Sequence, residues 1–238
     1  MTTHPDAAYP LTPIAHIRSD FTAKFGIPRQ SGLVQELRAD IVFAPQFRNP
    51  DALRGIEGYS HLWLIWQFST VVAAGQDGEN WRPTVRPPRL GGNTRMGVFA
   101  TRSPFRPNAL GLSCVQLVEV LPQTPDGPVL RVAGADLLNG TPIYDIKPYL
   151  PYADAHPDAR GGFADATAHY ALQVDCPPAL LARVPAEKQA ALLGVLRSDP
   201  RPAYQADPGR VYGLDFAGLS VRFTVAGTLL TVVEIGWL

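Results

Sequence analysis

Residues 80–118 carry six positive charges, and no acidic residue lies between Glu79 and Glu119. The six arginines of this segment are Arg82, Arg86, Arg89, Arg95, Arg102 and Arg106. Because no neighbouring carboxylate in the sequence neutralises them, the segment is typical of a surface that faces an anion such as a nucleic-acid backbone. The formal net charge of the whole chain is zero, which argues against a protein that coats nucleic acid over its entire surface. A loop whose guanidinium groups bind its own carbonyls is the alternative.

Three further stretches, residues 28–32, 60–69 and 136–149, are too polar and too constrained to be ordinary barrel connections. In the first, Gly32 allows close backbone approach near Arg29, whose planar side chain donates hydrogen bonds in a fork. The last contains Asp145, Lys147 and Tyr149, which together offer a carboxylate, an ammonium and a phenol. Groups of these types can give or accept a proton.

Several common enzyme signatures are absent from the sequence. No glycine-rich dinucleotide or phosphate-binding loop occurs, no H-E-x-x-H or C-x-x-C motif occurs, and no G-x-S-x-G elbow occurs. The five histidines lack the spacing of zinc ligands, so no metal site is expected. Cys114 and Cys176 predict two reduced thiols. No apolar run is long enough for a membrane span and no leader peptide is evident, so we expect a cytoplasmic protein without membrane attachment.

Short apolar segments bounded by glycine or proline predict an all-β first part, curled into a barrel. The predicted strands are residues 14–18, 41–43, 62–68, 96–101, 112–120 and 129–133. Segment 62–68 has two tryptophans and no helical stripe, so we expect a strand that is buried on both faces. The 24 prolines fit this interpretation, because proline is poorly tolerated inside helices and central strands.

The composition changes after Tyr152, where residues 153–168 form a polar segment typical of a linker. Residues 186–196 then predict a helix that ends before Pro200. The chain closes with alternating apolar residues at 219–225 and 229–235, which predict a hairpin with its turn at Ala226 and Gly227. We therefore expect two domains, residues 11–157 and 163–238, of which the second is small and α+β.

The four polar stretches, in this order, closely resemble the TsaA-like family, also called the TrmO family, over residues 14–152. Residues 199–204, Asp-Pro-Arg-Pro-Ala-Tyr, are similar to the signature of that family's C-terminal domain. The resemblance implies a mainly β fold with a single-sheet antiparallel β-barrel, a homodimer, and S-adenosylmethionine as cofactor. It also implies methylation of N6 of N6-threonylcarbamoyladenosine, next to the anticodon in the tRNA anticodon loop. A non-catalytic RNA-binding barrel and a methyltransferase for another substrate are the alternatives.

The resemblance also assigns the cofactor contacts. They would fall on Gln30, Ser31, Gly32, Phe68, Ser69, Arg102, Leu112, Ile143, Tyr144, Asp145 and Ile146. In this set Arg102 would hold the cofactor carboxylate, and Asp145 would accept from the ribose diol or face the sulfonium. The sequence departs from the usual family pattern at Ser31, Ser69 and Asn139, where proline, histidine and aspartate are frequent, and at residues 109–110, where Pro-Ile is frequent.

Catalysis is expected at Asp145, Lys147 and Tyr149. The predicted RNA-binding residues are Arg82, Arg86, Arg89, Arg95, Arg106, Arg201 and Tyr204. For Asp199, Arg201 and Tyr204 a second interpretation stays open, in which they fasten the C-terminal domain to the barrel. Trp81 and Phe105 would either stack on RNA bases or belong to the core.

Overall fold

The computed structural model describes residues 10–72, 81–91, 93–201 and 207–238. The strands of the first part are β1 (Ala15–Arg18), β2 (Arg38–Phe43), β3 (His61–Gln67), β4 (Thr84–Val85), β5 (Met96–Gly97), β6 (Leu110–Leu121), β7 (Val129–Ala133) and β8 (Pro142–Pro148). Two short helices, α1 (Ser69–Val72) and α2 (Pro151–Asp154), accompany them. Six strands close a barrel in the order β1-β2-β7-β6-β3-β8, and every neighbouring pair is antiparallel. The predicted single-sheet barrel is confirmed.

Side chains along strand β3 alternate between the barrel interior and its outer face. Leu62, Leu64 and Trp66 are buried in the barrel core, whereas the residues between them are only partly covered. The prediction that both faces of this strand are buried is therefore wrong. A barrel has one interior, so alternate side chains of each strand point outward.

The predicted strand 96–101 is also wrong beyond its first two residues. Met96 and Gly97 pair with β4, and residues 98–100 then form a 3-10 turn. The amide of Val98 donates to the carbonyl of Pro83, and its side chain is fully buried. This tertiary contact turns the chain away from an extended path. Strand β8 was not predicted as a strand, because a proline at each end and polar residues between them hide its pattern.

The C-terminal part contains β9 (Gln173–Asp175), α3 (Pro178–Leu181), α4 (Ala186–Arg197), β10 (Tyr212–Phe216), β11 (Leu219–Ala226) and β12 (Leu229–Trp237). Its sheet has the order β10-β11-β12-β9, and only the β12–β9 pair is parallel. The predicted helix and hairpin are confirmed. The turn lies one residue later than predicted, because Ala226 pairs with Leu229. The predicted linker is not without structure, since it includes a 3-10 turn at Gly162–Thr167.

Two apolar cores fill the molecule, one inside the barrel and one between α4 and the C-terminal sheet. Phe21, Val34 and Leu37, from the connection between β1 and β2, belong to the second core. Close approach is possible there because Gly26 faces Leu214, where a Cβ would lie 2.0 Å from the leucine side chain. The β1–β2 connection thus joins both cores. The domain bounds 11–157 and 163–238 stay a prediction.

Within the ranges that the structure describes, no helix combines the length and the apolar character needed to cross a bilayer. In the same ranges, no cluster of three or more His, Cys, Asp or Glu side chains is arranged to hold a metal ion. Cys114 and Cys176 are both free, as predicted.

Candidate active site

A cleft of about 800 Å³ opens where four parts of the chain meet. Its walls come from the β1–β2 connection, from the end of β3 with α1, from the loop that leads into β6, and from the segment after β7. The polar stretches singled out in the sequence thus converge on one place. Five predicted cofactor residues line this cleft: Gln30, Phe68, Ser69, Arg102 and Leu112.

Two glycines fix the loop of residues 28–32 against the end of β7. The amide of Gly32 donates to the carbonyl of Gly134 at 2.8 Å, and both residues have positive φ angles, +78° and +73°. A Cβ at Gly134 would lie 3.2 Å from the Gly32 backbone, so the fit requires glycine. The hydroxyl of Ser31 accepts from the amide of Cys114. Ser31 and Gly32 therefore hold the loop in place and do not line the cleft wall, and their cofactor contacts stay a prediction.

A chain of three polar side chains runs from the barrel interior to the cleft. The indole nitrogen of Trp66 donates to Ser113 Oγ at 2.9 Å, and Ser113 Oγ donates to Asp136 Oδ1 at 2.6 Å. Because an indole N–H can only donate, the serine must accept there and direct its own proton at the carboxylate. Asp136 is therefore held as an acceptor, in the wall of the cleft.

The electrostatics of Asp136 are typical of a ligand site. Burial raises the pKa of this carboxyl, whereas the hydrogen bond from Ser113 and the positive charge of Arg102 oppose the rise. Arg102 itself lines the cleft and donates to the side-chain oxygen of Gln30. A partly buried acid and a guanidinium in one cleft can receive a ligand that carries charges of both signs.

Sequence reasoning missed Asp136, although it is the first residue of the polar stretch 136–149. The available signal was its place just beyond a predicted strand, after Gly134. The motif instead drew attention to Asp145, which is nine positions later. An acid that follows a strand closely and precedes a glycine turn was the better candidate for a place in the cleft wall.

Aromatic and aliphatic side chains form the apolar part of the cleft. The rings of Trp66 and Phe68 meet edge to face with centroids 4.3 Å apart. Leu112 lines the cleft from β6 and is 57% exposed. The ring of Trp66 packs directly against Gly111, because a Cβ at residue 111 would lie only 2.2 Å from the indole.

The residues of β8 do not line the cleft. Ile143 is fully buried in the barrel core, and Ile146 packs against that core. The hydroxyl of Tyr144 donates to Gln67 at 2.7 Å, and Gln67 does line the cleft. The cofactor contacts predicted for β8 stay a prediction.

The predicted catalytic residues do not line the cleft but lie beside β3, whose end borders it. Asp145 and Lys147 form an ion pair at 3.1 Å, and both are about half exposed. Lys147 is opposite Trp63 in the sheet, and the ring of Tyr149 lies 5.8 Å from the same tryptophan. Lys147 is therefore one strand spacing, about 4.8 Å, from Trp63, which lines the cleft, whereas Asp145 is opposite Ile65, which does not.

The arginines of the acid-free segment divide into two groups. Arg102 and Arg106 line the cleft, and Arg106 donates to the carbonyls of Thr101 and Ser103. Arg82, Arg86 and Arg95 are exposed outside it.

The side chain of Arg89 and the whole of Tyr204 lie outside the described residues. Trp81 and Phe105 are at the surface, which excludes the core interpretation for them.

Asp199 and Arg201 form a buried ion pair behind the end of α4, where each is only 8% exposed. Arg201 Nε lies 2.9 Å from Asp199 Oδ1, and the hydroxyl of Tyr170 donates to Oδ2 of the same carboxylate. The guanidinium of Arg29, in the cleft loop, donates to the carbonyl of Arg201 at 2.9 Å. These contacts favour the fastening interpretation of this motif, and RNA binding by Arg201 stays a prediction.

Comparison with known proteins gives two matched family models, one for each half of the chain. The model of the tRNA-methyltransferase O N-terminal domain matches residues 16–155, and that of the TrmO C-terminal domain matches residues 170–237. A tRNA (adenine(37)-N6)-methyltransferase of Escherichia coli (strain K12) is 40% identical over 220 residues, which is 89% of this chain and 91% of that protein. A putative S-adenosylmethionine-dependent methyltransferase, RcsF, of Pseudomonas aeruginosa is 41% identical over 229 residues, which is 90% of this chain and 91% of that protein.

Solved structures give the same result for the fold. A crystal structure of TrmO from Pseudomonas aeruginosa aligns with a TM-score of 0.73 at 33% identity, over 97% of this chain and 100% of that one. Another TrmO crystal structure aligns with a TM-score of 0.76 at 33% identity, with the same coverage. Both the barrel and the C-terminal sheet are therefore shared with these proteins.

Proposed function

Because this chain belongs to the tRNA-methyltransferase O family, an S-adenosylmethionine-dependent family, we propose that it methylates N6 of adenosine 37 in tRNA. The substrate we infer is the adenosine that already carries a threonylcarbamoyl group on N6. The observation that carries the proposal is the cleft in which Asp136 and Arg102 lie beside an aromatic wall. The reaction takes place in the cytoplasm, as the sequence led us to expect.

The side chains of the cleft fit S-adenosylmethionine group by group. Arg102, with Gln30, is suited to the carboxylate of the methionine part. Asp136 is suited to accept from the ribose diol or to face a positive charge. Phe68 and Leu112 provide apolar surface of the kind that an adenine ring requires. When bound, the cofactor supplies an electrophilic methyl group on a cationic sulfur.

We propose that the predicted catalytic residues beside β3 assist the nucleophile. A carbamoyl group on N6 makes its proton more acidic than that of an ordinary adenine amine, so a weak base is sufficient. We propose that the carboxylate of Asp145 accepts this proton and that Lys147 polarises the carbamoyl carbonyl, with Tyr149 beside them. Correct positioning of the two reactants can contribute about 7–11 kcal/mol to lowering the barrier.

Single-turnover methylation by Asp145→Asn, with cofactor affinity measured in parallel, tests this role. We expect the rate to fall by about ten- to a hundred-fold while the affinity for S-adenosylmethionine stays within a factor of two. Asp51→Asn, an exposed acid elsewhere on the barrel, is the control and should not change the rate. An unchanged rate in the Asp145 variant would remove this carboxylate from the mechanism.

The substrate is tested with two preparations of one tRNA, which differ only in the threonylcarbamoyl group at position 37. Calorimetry first measures binding of S-adenosylmethionine, and mass spectrometry of digested nucleosides then detects methyl transfer. We expect transfer to the threonylcarbamoylated tRNA alone. Equal transfer to the unmodified tRNA would contradict the inferred substrate. Absence of cofactor binding would favour a non-catalytic RNA-binding barrel, and binding without transfer would favour a methyltransferase for another substrate.

Contacts between the exposed arginines and the tRNA backbone are part of the proposal. Arg82 and Arg86 are expected to bind phosphates, so tRNA affinity should fall steeply with salt concentration. Removal of either charge should reduce the slope of log affinity against log salt by about 0.7–0.9. Arg222→Gln, on the far hairpin, is the control because Arg222 already pairs with Glu234.

We also propose that the chain forms a homodimer, as the family resemblance implied. Leu112 projects from the outer face of β6 at the edge of the cleft, and a second copy would remove it from water. Light scattering at micromolar concentration gives the mass of the particle. A monomer at these concentrations would contradict this part of the proposal.

A further inference from the structure

Lys24 differs from the other basic side chains of the cleft. Arg29, Arg102 and Arg106 each donate a hydrogen bond to a protein oxygen. Among the described residues, none provides a hydrogen-bond acceptor or a carboxylate for the ammonium group of Lys24, which lines the cleft and is exposed. An ammonium group without a protein partner is available to a ligand.

The backbone at Lys24 is fixed by packing on both sides. Phe21 is buried in the second core, and Phe25 and Ile27 pack against that core. Gly26, with a φ of +95°, fits against Leu214 so closely that no Cβ is possible. A rigid turn lowers the entropy lost on binding, because only the lysine side chain must become ordered.

A second cleft, of about 470 Å³, adjoins the first beside the end of α4. Three residues line both clefts, namely Lys24, Ile27 and Arg29. The acid of the second cleft, Asp199, is already paired with Arg201. The junction therefore presents the ammonium group of Lys24, which no carboxylate of the described lining neutralises, next to the guanidinium of Arg29, and it is suited to an oxyanion.

We propose that Lys24, supported by Arg29, forms an anion-binding site for the RNA substrate at this junction. The oxyanion is either the carboxylate that a threonylcarbamoyl group brings to N6 or a backbone phosphate beside it. The proposal rests on the function proposed above and makes it more specific, because Lys24 would then select the modified base or hold its strand. Neither Arg102 nor Asp136, assigned to the cofactor, is needed for this contact.

The test compares Lys24→Gln and Lys24→Arg with the wild-type chain and with the control Arg222→Gln. Affinity is measured for tRNA with and without the threonylcarbamoyl group, at several salt concentrations, and for S-adenosylmethionine. We expect Lys24→Gln to bind the modified tRNA about ten-fold more weakly, Lys24→Arg to bind it nearly as well as wild type, and cofactor affinity to be unchanged. Lys24 is exposed, so both variants should fold, and their thermal unfolding confirms this.

The two sources of the oxyanion give different patterns. If the carboxylate is bound, Lys24→Gln weakens binding of the modified tRNA alone. If a phosphate is bound, both tRNAs lose affinity equally and the salt slope falls by about 0.7–0.9. Unchanged affinity for both tRNAs, or a weaker affinity for S-adenosylmethionine, would overturn the proposal. Methyl transfer by the wild-type chain in the same samples reports separately on the proposed function.

Discussion

Asp136, in the cleft, and Asp199, behind the C-terminal helix, are two enclosed carboxylates whose pKa values shift in opposite directions. Burial raises the pKa of Asp136, and its single side-chain partner is the neutral hydroxyl of Ser113. Burial also acts on Asp199, but hydrogen bonds from Arg201 and Tyr170 outweigh it and lower the pKa. The same residue type thus has a different charge balance in the two regions.

The difference separates a binding group from a structural one. At Asp199 the guanidinium of Arg201 already neutralises the charge, so little attraction is left for a ligand. At Asp136 the neutral serine supplies no counter-charge, and the nearby charge of Arg102 does not outweigh burial, so the carboxylate can still attract a ligand. An acid that a protein buries without a full counter-charge costs stability, and such costs are concentrated at functional sites.

The largest effect should follow loss of charge at Asp199. Asp199→Asn leaves Arg201 buried without its anion, and we expect the free energy of unfolding to fall by about 3 kcal/mol. Asparagine tolerates the left-handed φ of +54° at this position, so the backbone is not a second cause. Chemical denaturation measures the change, with Asp51→Asn as the matched surface control. A loss below about 1 kcal/mol, the size of a surface pair, would contradict the role of a structural pair.

Asp136→Asn should instead affect binding. We expect about a hundred-fold weaker binding of S-adenosylmethionine, because a charged hydrogen-bond acceptor of the cleft is lost. The fold should be at least as stable as wild type, since asparagine still accepts from Ser113 and removes a buried charge. Calorimetry gives the affinity and denaturation the stability. Unchanged affinity would return the cofactor role to Asp145, where the sequence motif first suggested it.

Ser113→Ala tests how Asp136 is held. The substitution leaves the indole N–H of Trp66 without its acceptor and removes the hydrogen bond that opposes the rise in the carboxyl pKa. We expect cofactor affinity to fall about ten-fold and its pH dependence to move to higher pH. Ser113→Thr keeps the hydroxyl and is the matched variant. A loss of affinity with no change in the pH profile would indicate a packing effect alone.

The smallest effect is the pH dependence of stability, and its sign differs between the two acids. Because the folded pKa of Asp199 is lowered, its contribution is present above the ordinary value of 3.8 and is lost as pH falls through the folded pKa. The folded-state pKa of Asp136 is raised, so this residue lowers the free energy of unfolding increasingly as pH rises from 3.8 to that pKa. Unfolding temperatures from pH 3 to 8 should therefore converge at low pH for Asp199→Asn and wild type. The unfolding temperature of Asp136→Asn should rise relative to that of wild type as pH rises. Unfolding temperatures that differ from wild type by a constant amount at every pH would contradict both assignments.

The barrel was predictable from the sequence because local patterns specify most of its strands. Strand β7 has the predicted bounds, and helix α4 extends only one residue further. Strand β8 and the turn after Met96 were not predictable, because distant partners determine them. Val98 turns toward Pro83, and β8 becomes a strand by pairing with both β1 and β3.

The candidate site was predictable as a set of stretches but not as a set of contacts. The cleft brings together Gln30 and Arg102, which lie 72 positions apart in the chain. Asp136 meets Ser113 only because β6 and β7 are neighbours in the barrel, and no local pattern records this. The motif around Asp145 was conspicuous in the sequence, whereas in the fold Asp145 is opposite Ile65, and neither residue lines the cleft.

The β1–β2 connection has a consequence for how the two halves of the protein can change. It carries the cleft loop, yet Phe21 before that loop and Val34 and Leu37 after it are buried among residues of the C-terminal half. A chain shortened to the barrel would expose these side chains and release both ends of the loop that presents Gln30. Another protein's C-terminal half could replace this one only if its core accommodated Phe21, Val34 and Leu37 in the same way. The two halves are therefore constrained to evolve together.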